Sequence, residues 1–518
     1  MINPIKLELF KHAFSAVAEE MGAVLQRSSF SPNIKERRDF SCALFNRKGE
    51  LVAQAAHIPV HLGSMPLSVR AVLKKIDLKE GEVAAINAPY SGGTHLPDIT
   101  VVAPVYLNGE LLFYVANRAH HADVGGTTPG SMPLSTSIYQ EGLIIPPVKV
   151  ASNWEPDPNF LELLKANSRT PKEREGDFKA QLTALKLGVK RIKELAQKYS
   201  PELLQIYANA LLDYAEKITR NFIESIPDGV YTFGDFMDGD GIADTPVRVR
   251  AVVKIEGDTA MVDFSGSDLQ TKGPINTVES IALSVTLYSF RLLMEHDVPT
   301  NEGIMRPVKV VTRKGTVVDA LPPAPVSAGN TETSQRLVDV LLGALSKALP
   351  KKVPAASQGT MNNLTLGGTD LEGNPFAYYE TIGGGAGATP KENGESGVHT
   401  HMTNTLNTPV EALEFKLPVM VTEYGLRKSS GGEGKFRGGE GIVRELLFLS
   451  ETQVTLISER RKFSPYGLFG GKPGKPGRAV ELTPEGKEIE LPPKFTKTFK
   501  PGHKLRVETP GGGGWGER

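Results

Sequence analysis

A chain of 518 residues is too long for one simple core and, at ~100–200 residues per domain, predicts two to four sub-domains. Lys+Arg (59) balances Asp+Glu (59), so no bulk field attracts nucleic acid or an anionic membrane surface. No apolar run approaches the ~18–20 residues of a membrane span, and the single cysteine, Cys42, excludes an internal disulfide and fits a reducing compartment.

Ile5, Leu9, Phe10, Phe14, Val17, Met21, Val24 and Leu25 have helical spacing and predict an opening helix over residues 4–28. The pattern is not that of a secretory leader, so the expected location is the cytoplasm. A polar run over 29–40 opens into Ser41-Cys42-Ala43-Leu44-Phe45, and Arg47-Lys48-Gly49-Glu50 turns the chain into Leu51-Val52-Ala53-Gln54. This is a predicted hairpin with Asp39 at its mouth. Ser64 is a candidate cap for a helix running to Ile76. Residues 82–87 read as a buried strand. Residues 99–117 form two apolar runs joined by Leu107-Asn108-Gly109-Glu110, and Asn-Gly is a strong hairpin signal because both residues tolerate positive φ.

Residues 129–147 read as loop and 158–226 as helical with charged faces. Strands follow at 231–236, 247–255, 260–264 and 308–312, and helices at 280–294 and 333–349. From about Lys416, short strands alternate with glycine turns as far as Thr509-Pro510-Gly511-Gly512-Gly513-Gly514. This irregular alternation predicts an α+β architecture with mixed β-sheets, a helical insert and a β-rich, glycine-rich C-terminal region. The expected divisions are 1–156, carrying a metal site; 157–226, the helical insert; 227–415, with a Gly-rich loop; and 416–518.

A hairpin over 99–117 returns the chain to its starting edge. It brings Gly92-Gly93-Thr94-His95-Leu96-Pro97-Asp98 beside Ala119-His120-His121-Ala122-Asp123. His57, His61, His95, His120 and His121 are five of the chain's 10 histidines, all within this part of the sequence. Imidazoles and carboxylates converging on one point suit a divalent metal such as zinc or manganese. Pro97 pushes Leu96 away from helical φ/ψ and fits the second position of a Leu96-Pro97-Asp98-Ile99 turn, which would bend Asp98 back towards His95. His120 and His121, adjacent on a strand, point to opposite faces. One would ligate and the other support it or shuttle protons; spacing leaves open which.

Other motifs carry less. Gly383 to Ala388 lacks the Gly-Lys-Ser/Thr ending of a nucleotide loop and reads as a glycine-lined approach to substrate or to a partner chain. Asp235, Asp238 and Asp240 lack the twelve-residue calcium-loop pattern and read as a solvated turn. Cys42 has no nucleophile signature and reads as a small strand residue.

Taken as a set, several motifs resemble the B subunit of the ATP-dependent hydantoinase and 5-oxoprolinase family, which is related to the acetone carboxylase subunits. They are Ser31-Pro32-Asn33-Ile34-Lys35-Glu36-Arg37-Arg38-Asp39, His57-Ile58-Pro59-Val60-His61, Gly92 to Asp98, Ala116 to Gly126, Ala328 to Arg336, Gly383 to Gly387, His401 to Glu411, Ser458 to Arg461 and the terminal glycines. The resemblance implies an A-type partner subunit with an actin-like ATP-binding fold, which phosphorylates the amide oxygen of a small cyclic amide. The B subunit then opens and hydrolyses the ring with a divalent metal, zinc or manganese. The family's ligand set falls on Asp39, His95, Asp98 and His120, with Asp39 entering on resemblance alone. His121 or Asp123 would act as the catalytic base. His399, Asn404 and Arg336 are candidates for the substrate or phosphate side. The expectation is a hetero-oligomeric hydrolase, with a subunit of an ATP-dependent ketone carboxylase and a non-catalytic scaffold as the competing readings.

Overall fold

The computed structural model describes residues 2–55, 57–294 and 297–518. Helix α1 (Pro4–Ser28) begins where the Asn3 side chain accepts from the Ile5 and Lys6 N–H groups, with proline at the first position. It buries the Phe10, Phe14, Val17, Met21, Leu25 stripe that the spacing predicted. The polar run that follows forms a short turn, α2 (Pro32–Lys35), before β1 (Phe40–Phe45) and β2 (Leu51–Gln54) make the expected antiparallel hairpin. Helix α3 (Met65–Lys75) matches the predicted one, but Ser64 does not cap it. Ser64 has helical φ/ψ, and its hydroxyl instead accepts from Arg118 Nη1 at 2.6 Å.

With β3 (Val83–Ile86), β4 (Asp98–Leu107), β5 (Glu110–His120), β6 (Val148–Ser152) and β7 (Glu155–Pro156), the first hairpin completes a seven-stranded sheet in the order β2-β1-β5-β4-β3-β6-β7. Both faces are covered, which is why β1 reads as uninterrupted burial. Cys42 and Leu44 join the cluster of Phe14 and Phe178, while Ala43 and Phe45 join that of Val69 and Val72 on α3. The predicted helical stretch is α4 (Pro158–Ala166), α5 (Pro171–Tyr199) and α6 (Pro201–Glu224), with α1 and α5 packed against the sheet.

A second sheet, β11-β10-β9-β8, comprises β8 (Gly229–Met237), β9 (Val247–Glu256), β10 (Thr259–Asp263) and β11 (Val308–Val311). It shares a core with α7 (Glu279–Leu293) and α8 (Ser334–Leu345). A π-helical turn, Gly329–Thr333, leads into α8. Next come β12 (Asn363–Thr369), β13 (Pro375–Glu380), α9 (Val410–Lys416), β14 (Val419–Arg427), β15 (Gly441–Phe448), β16 (Thr452–Ile457), β17 (Arg478–Leu482), β18 (Glu488–Leu491), β19 (Lys494–Phe499) and β20 (Lys504–Glu508). They form the sheets β13-β12-β16-β19 and β14-β15-β20-β17-β18, the former drawing strands from both sides of residue 416. The fold is α+β throughout. No helix among the described residues is long and apolar enough to cross a membrane.

The structure adds detail to one sequence expectation and changes another. The glycines of 383–388 allow close approach within the chain: a Cβ on Gly385 would sit 2.1 Å from the Gly439 carbonyl oxygen and 2.3 Å from Gly512 N, and one on Gly387 1.9 Å from the Ala355 carbonyl oxygen. These segments also bond to one another, with Gly439 N–H donating to Ala386 and Gly512 N–H to Gly439. The acidic turn is not solvated. Asp238 accepts from the Arg461 and Lys462 N–H groups, and Asp235 pairs with the buried Arg460 at 2.8 Å. Their partners come from more than 200 residues downstream, where local sequence gives no sign of them.

Candidate metal centre

Asp98 opens β4, His120 closes β5, and the two are partners in the register of the pair. At the far end Asn108 (φ 52°) and Gly109 (φ 81°) make the left-handed turn that Asn-Gly predicted. His95 joins them through a tight turn in which Asp98 N–H donates to the His95 carbonyl at 3.2 Å. That turn is His95-Leu96-Pro97-Asp98, one residue earlier than predicted, because Ile99 already pairs with Ala119 in the sheet.

His95 Nε2 and His120 Nδ1 each lie 3.2 Å from Asp98 Oδ1, and His61 Nε2 lies 3.3 Å from Asp98 Oδ2. One ligating atom from each of His95, Asp98 and His120 falls within 4.8 Å of the others. These four side chains are buried. Asp39, from the mouth of the first hairpin, lines the same small cavity of about 20 Å³ together with Asn330, Thr331, Tyr379 and Met402. Such a volume holds about one water. Tyr379 stacks on His120 with ring centroids 4.4 Å apart and donates its hydroxyl to Asn363 Oδ1, which fixes the imidazole's plane. Asn330 Nδ2 donates to Asp98 Oδ2 at 3.2 Å.

The donor set can be tested for a cation from its own hydrogen bonds. His95 Nδ1 is 2.8 Å from the Ser327 carbonyl, which only accepts, so Nδ1 carries the proton. The other nitrogen, Nε2, then turns a lone pair towards the Asp98 carboxylate with no hydrogen bond made, and His120 Nε2 is likewise buried without a partner. Acceptors facing one another in a buried pocket call for a donor or a positive centre between them: a water, a further proton or a metal. Burial disfavours charge on both His95 and Asp98, yet each favours the other's charged form. Asp98 raises the His95 pKa, while His95, His120 and His61 hold the Asp98 carboxyl well below its usual range. A divalent cation fits this arrangement of nitrogen and carboxylate ligands.

The remaining candidates lie elsewhere. His121 points away from His120, as adjacent strand residues must, and its Nε2 is 2.8 Å from Gln181 Oε1 on α5. Asp123 accepts from the Gly125, Gly130 and Arg169 N–H groups and pairs with the Arg169 guanidinium at 3.0 Å. Neither lines the small cavity. His399 is half-buried with Nε2 3.3 Å from Asn407 Oδ1, Asn404 donates to the His57 carbonyl, and Arg336 is buried against Glu459. His57 accepts from Cys42 N–H. Sequence reasoning noticed His61 in the histidine cluster and Asn330 in the Ala328 to Arg336 motif without giving either a role, and it missed Tyr379. The last two arrive from more than 200 residues away on structurally separate elements.

The family described as Hydantoinase B/oxoprolinase matches residues 3–518. A protein of Methanocaldococcus jannaschii is 42% identical over 99% of this chain and 91% of its own. A 5-oxoprolinase of Dictyostelium discoideum is 40% identical over 100% of this chain, which spans only 40% of that longer protein. A crystal structure of an ATP-dependent caprolactamase from Pseudomonas jessenii superposes with a TM-score of 0.93 at 29% identity, covering 100% of this chain and 92% of that one. The chain therefore belongs to the Hydantoinase B/oxoprolinase family.

Proposed function

We propose that this chain is the hydrolytic subunit of an ATP-dependent cyclic-amide hydrolase, with a divalent metal held by Asp39, His95, Asp98 and His120. The observation that carries the reading is the set of buried, unpartnered imidazole nitrogens around Asp98. The relatives named 5-oxoprolinase and caprolactamase supply the reaction class. The 5-oxoprolinase has a further stretch that this chain does not match, consistent with an A-type partner that delivers the amide already phosphorylated on oxygen.

When bound, the cation would polarise the reacting group and lower the pKa of a nearby water. The chain's own groups must then direct the outcome. Water adds to the ring carbon of the phosphorylated amide. If phosphate left next, the amide would simply re-form. Ring opening requires a proton on the ring nitrogen first, so that the C–N bond breaks and leaves an acyl phosphate, which a second water hydrolyses to carboxylate and phosphate. The added water brings that proton, since its hydroxyl loses one as the carbonyl forms. His61, with Nδ1 at 2.8 Å from Ser41 Oγ and Nε2 at 3.3 Å from Asp98 Oδ2, is assigned to holding the Asp98 carboxylate. His121 and Asp123 are assigned to holding the loop that ends β5 rather than to touching substrate.

The test combines this chain with an A-type subunit and a panel of hydantoins and lactams. Phosphate release should depend on the cyclic amide and occur without bicarbonate. Release that requires labelled bicarbonate and incorporates it would establish a carboxylase instead. A chain without stoichiometric metal whose activity survives His95→Ala would be a scaffold.

A further inference from the structure

Three threonine hydroxyls meet beside the small cavity, with a buried guanidinium at their head. Arg37 Nη2 donates to Thr381 Oγ1 at 2.7 Å and to Thr405 Oγ1 at 3.2 Å. Thr381 Oγ1 and Thr405 Oγ1 lie 2.8 Å apart, and Thr403 Oγ1 and Thr405 Oγ1 lie 3.3 Å apart. Thr381 and Thr403 line the cavity along with Asp39, His95, Asp98 and His120, whereas Thr405 stands behind them. Arg37 is fully buried, and its ion-pair partner, Asp39, is 3.9 Å away, beyond hydrogen-bond reach.

A hydroxyl has one proton to give and two lone pairs. Thr405 Oγ1 already accepts from Arg37, so it can take a proton from only one of its two threonine neighbours. If Thr381 donates to Thr405, Thr405 donates on to Thr403, and the Thr403 proton is left over. If Thr403 donates to Thr405, Thr405 donates on to Thr381, and the Thr381 proton is left over. Neither Thr381 nor Thr403 donates from its hydroxyl to any other group among the described residues. In both directions the spare O–H belongs to a residue of the cavity wall. The guanidinium reinforces this, because it draws the hydroxyl oxygens towards itself and turns their protons away.

We propose that Thr381 and Thr403 supply a hydroxyl donor to the oxygen that the added water leaves on the reacting carbon. That oxygen takes up negative charge as its proton passes to the ring nitrogen, and it ends as the carbonyl oxygen of the acyl phosphate. The threonine proton is shared with it and not transferred, so the balance of ring opening is unchanged. A donor aimed at charge that develops during reaction lowers the barrier more than it tightens substrate binding. The identity of the oxygen rests on the cyclic-amide reading above; the spare donor does not.

The test compares Thr381→Val/Thr403→Val, which keeps the shape and removes both hydroxyls, with Thr381→Ser/Thr403→Ser, which keeps the hydroxyls. Calorimetric titration of the purified chain with acetate, a stand-in for the carboxylate product, should show binding weakened about tenfold or more by the valines and within about threefold of the unmodified chain for the serines. With an A-type subunit and the panel of hydantoins and lactams, kcat for phosphate release should fall about 100-fold or more in the valine variant at little change in KM. Elemental analysis should find the same metal content in all three. Should the valine variant fail to fold, Thr381→Ala/Thr403→Ala replaces it, differing from the serine variant by the hydroxyls alone. No acetate binding by the unmodified chain, undiminished binding by the valine variant, an equal loss in the serine variant, or loss of metal overturns the proposal. Acetate binding that follows the hydroxyls, without phosphate release by the unmodified chain, would refute the hydrolase reading and leave the donor standing. Phosphate release with an unchanged kcat in the valine variant would refute the donor and leave the hydrolase reading standing.

Discussion

Asp98 is the residue on which the site turns, because it touches three imidazoles and one carboxamide in a pocket with room for little else. Asp98→Asn keeps the shape but removes the negative charge that a cation needs. Elemental analysis should show loss of stoichiometric metal, and cyclic-amide-dependent phosphate release should fall by orders of magnitude. Support one step further out should matter as well. The Glu141 carboxylate accepts from the Val326 and Ser327 N–H groups, and the Ser327 carbonyl in turn orients His95. Glu141→Gln should weaken metal binding by roughly 10–100-fold in a folded protein, read by competition with a chelator. His399 gives a pH signature independent of the site. Burial lowers its pKa to about 4, so below about 6.5 the unfolded chain takes up a proton that the folded chain refuses. The stability it provides is present above that pH and is lost as pH falls. The difference in unfolding free energy between pH 7.5 and 5.5 should shrink in His399→Leu, by about 1 kcal/mol. An unchanged slope would count against this.

At the scale of elements, the β4–β5 hairpin is the device that builds the site, and its turn can be perturbed without touching the chemistry. A Cβ on Gly109 would meet nothing within 4 Å, so Gly109→Ala suffers only the strain of φ 81°. It should cost about 1 kcal/mol by denaturant unfolding and leave metal content unchanged, since the turn lies at the far end of both strands. This hairpin was legible in the sequence because Asn-Gly fixes the turn and the turn fixes the register, which in turn sets Asp98 opposite His120. The opening helix and the β1–β2 hairpin were legible for the same local reasons. Asn330, Tyr379 and His61 were not, because nothing in their own neighbourhoods shows that the π turn before α8, the end of β13 and the Pro59–His61 turn meet at one point. The glycine segments were only partly legible for a related reason. Glycine signals close approach but does not say what approaches, and within this chain it is backbone of the Gly439 and Gly512 segments and of Ala355.

At the scale of the whole molecule, a chain of buried charges joins the central region to the C-terminal sheets. Arg460, past the end of β16, pairs with Asp235 on β8 and with Asp339 on α8; Glu459 pairs with Arg336 on α8 and with Lys494 on β19. Buried pairs contribute little net stability over an apolar substitute, but removing one partner strands the other's charge. Asp339→Ala should therefore destabilise by about 3–5 kcal/mol, whereas a surface pair such as Lys179 with Glu175 should contribute under about 1 kcal/mol. The network also predicts which function survives. The ligands proposed for the metal sit on β4, β5 and the turns before β1 and β4, none of which contributes a charge to it. Hydrogen bonds connect the two: Asn330 through the π turn that leads into α8, and Tyr379 through Asn363, Glu332 and Thr360, whose hydroxyl accepts from Glu459 N–H. The folded fraction of Asp339→Ala, measured well below its lowered unfolding temperature, should thus keep full metal stoichiometry. Loss of metal in parallel with loss of stability would show instead that the charge network and the site behave as one cooperative unit.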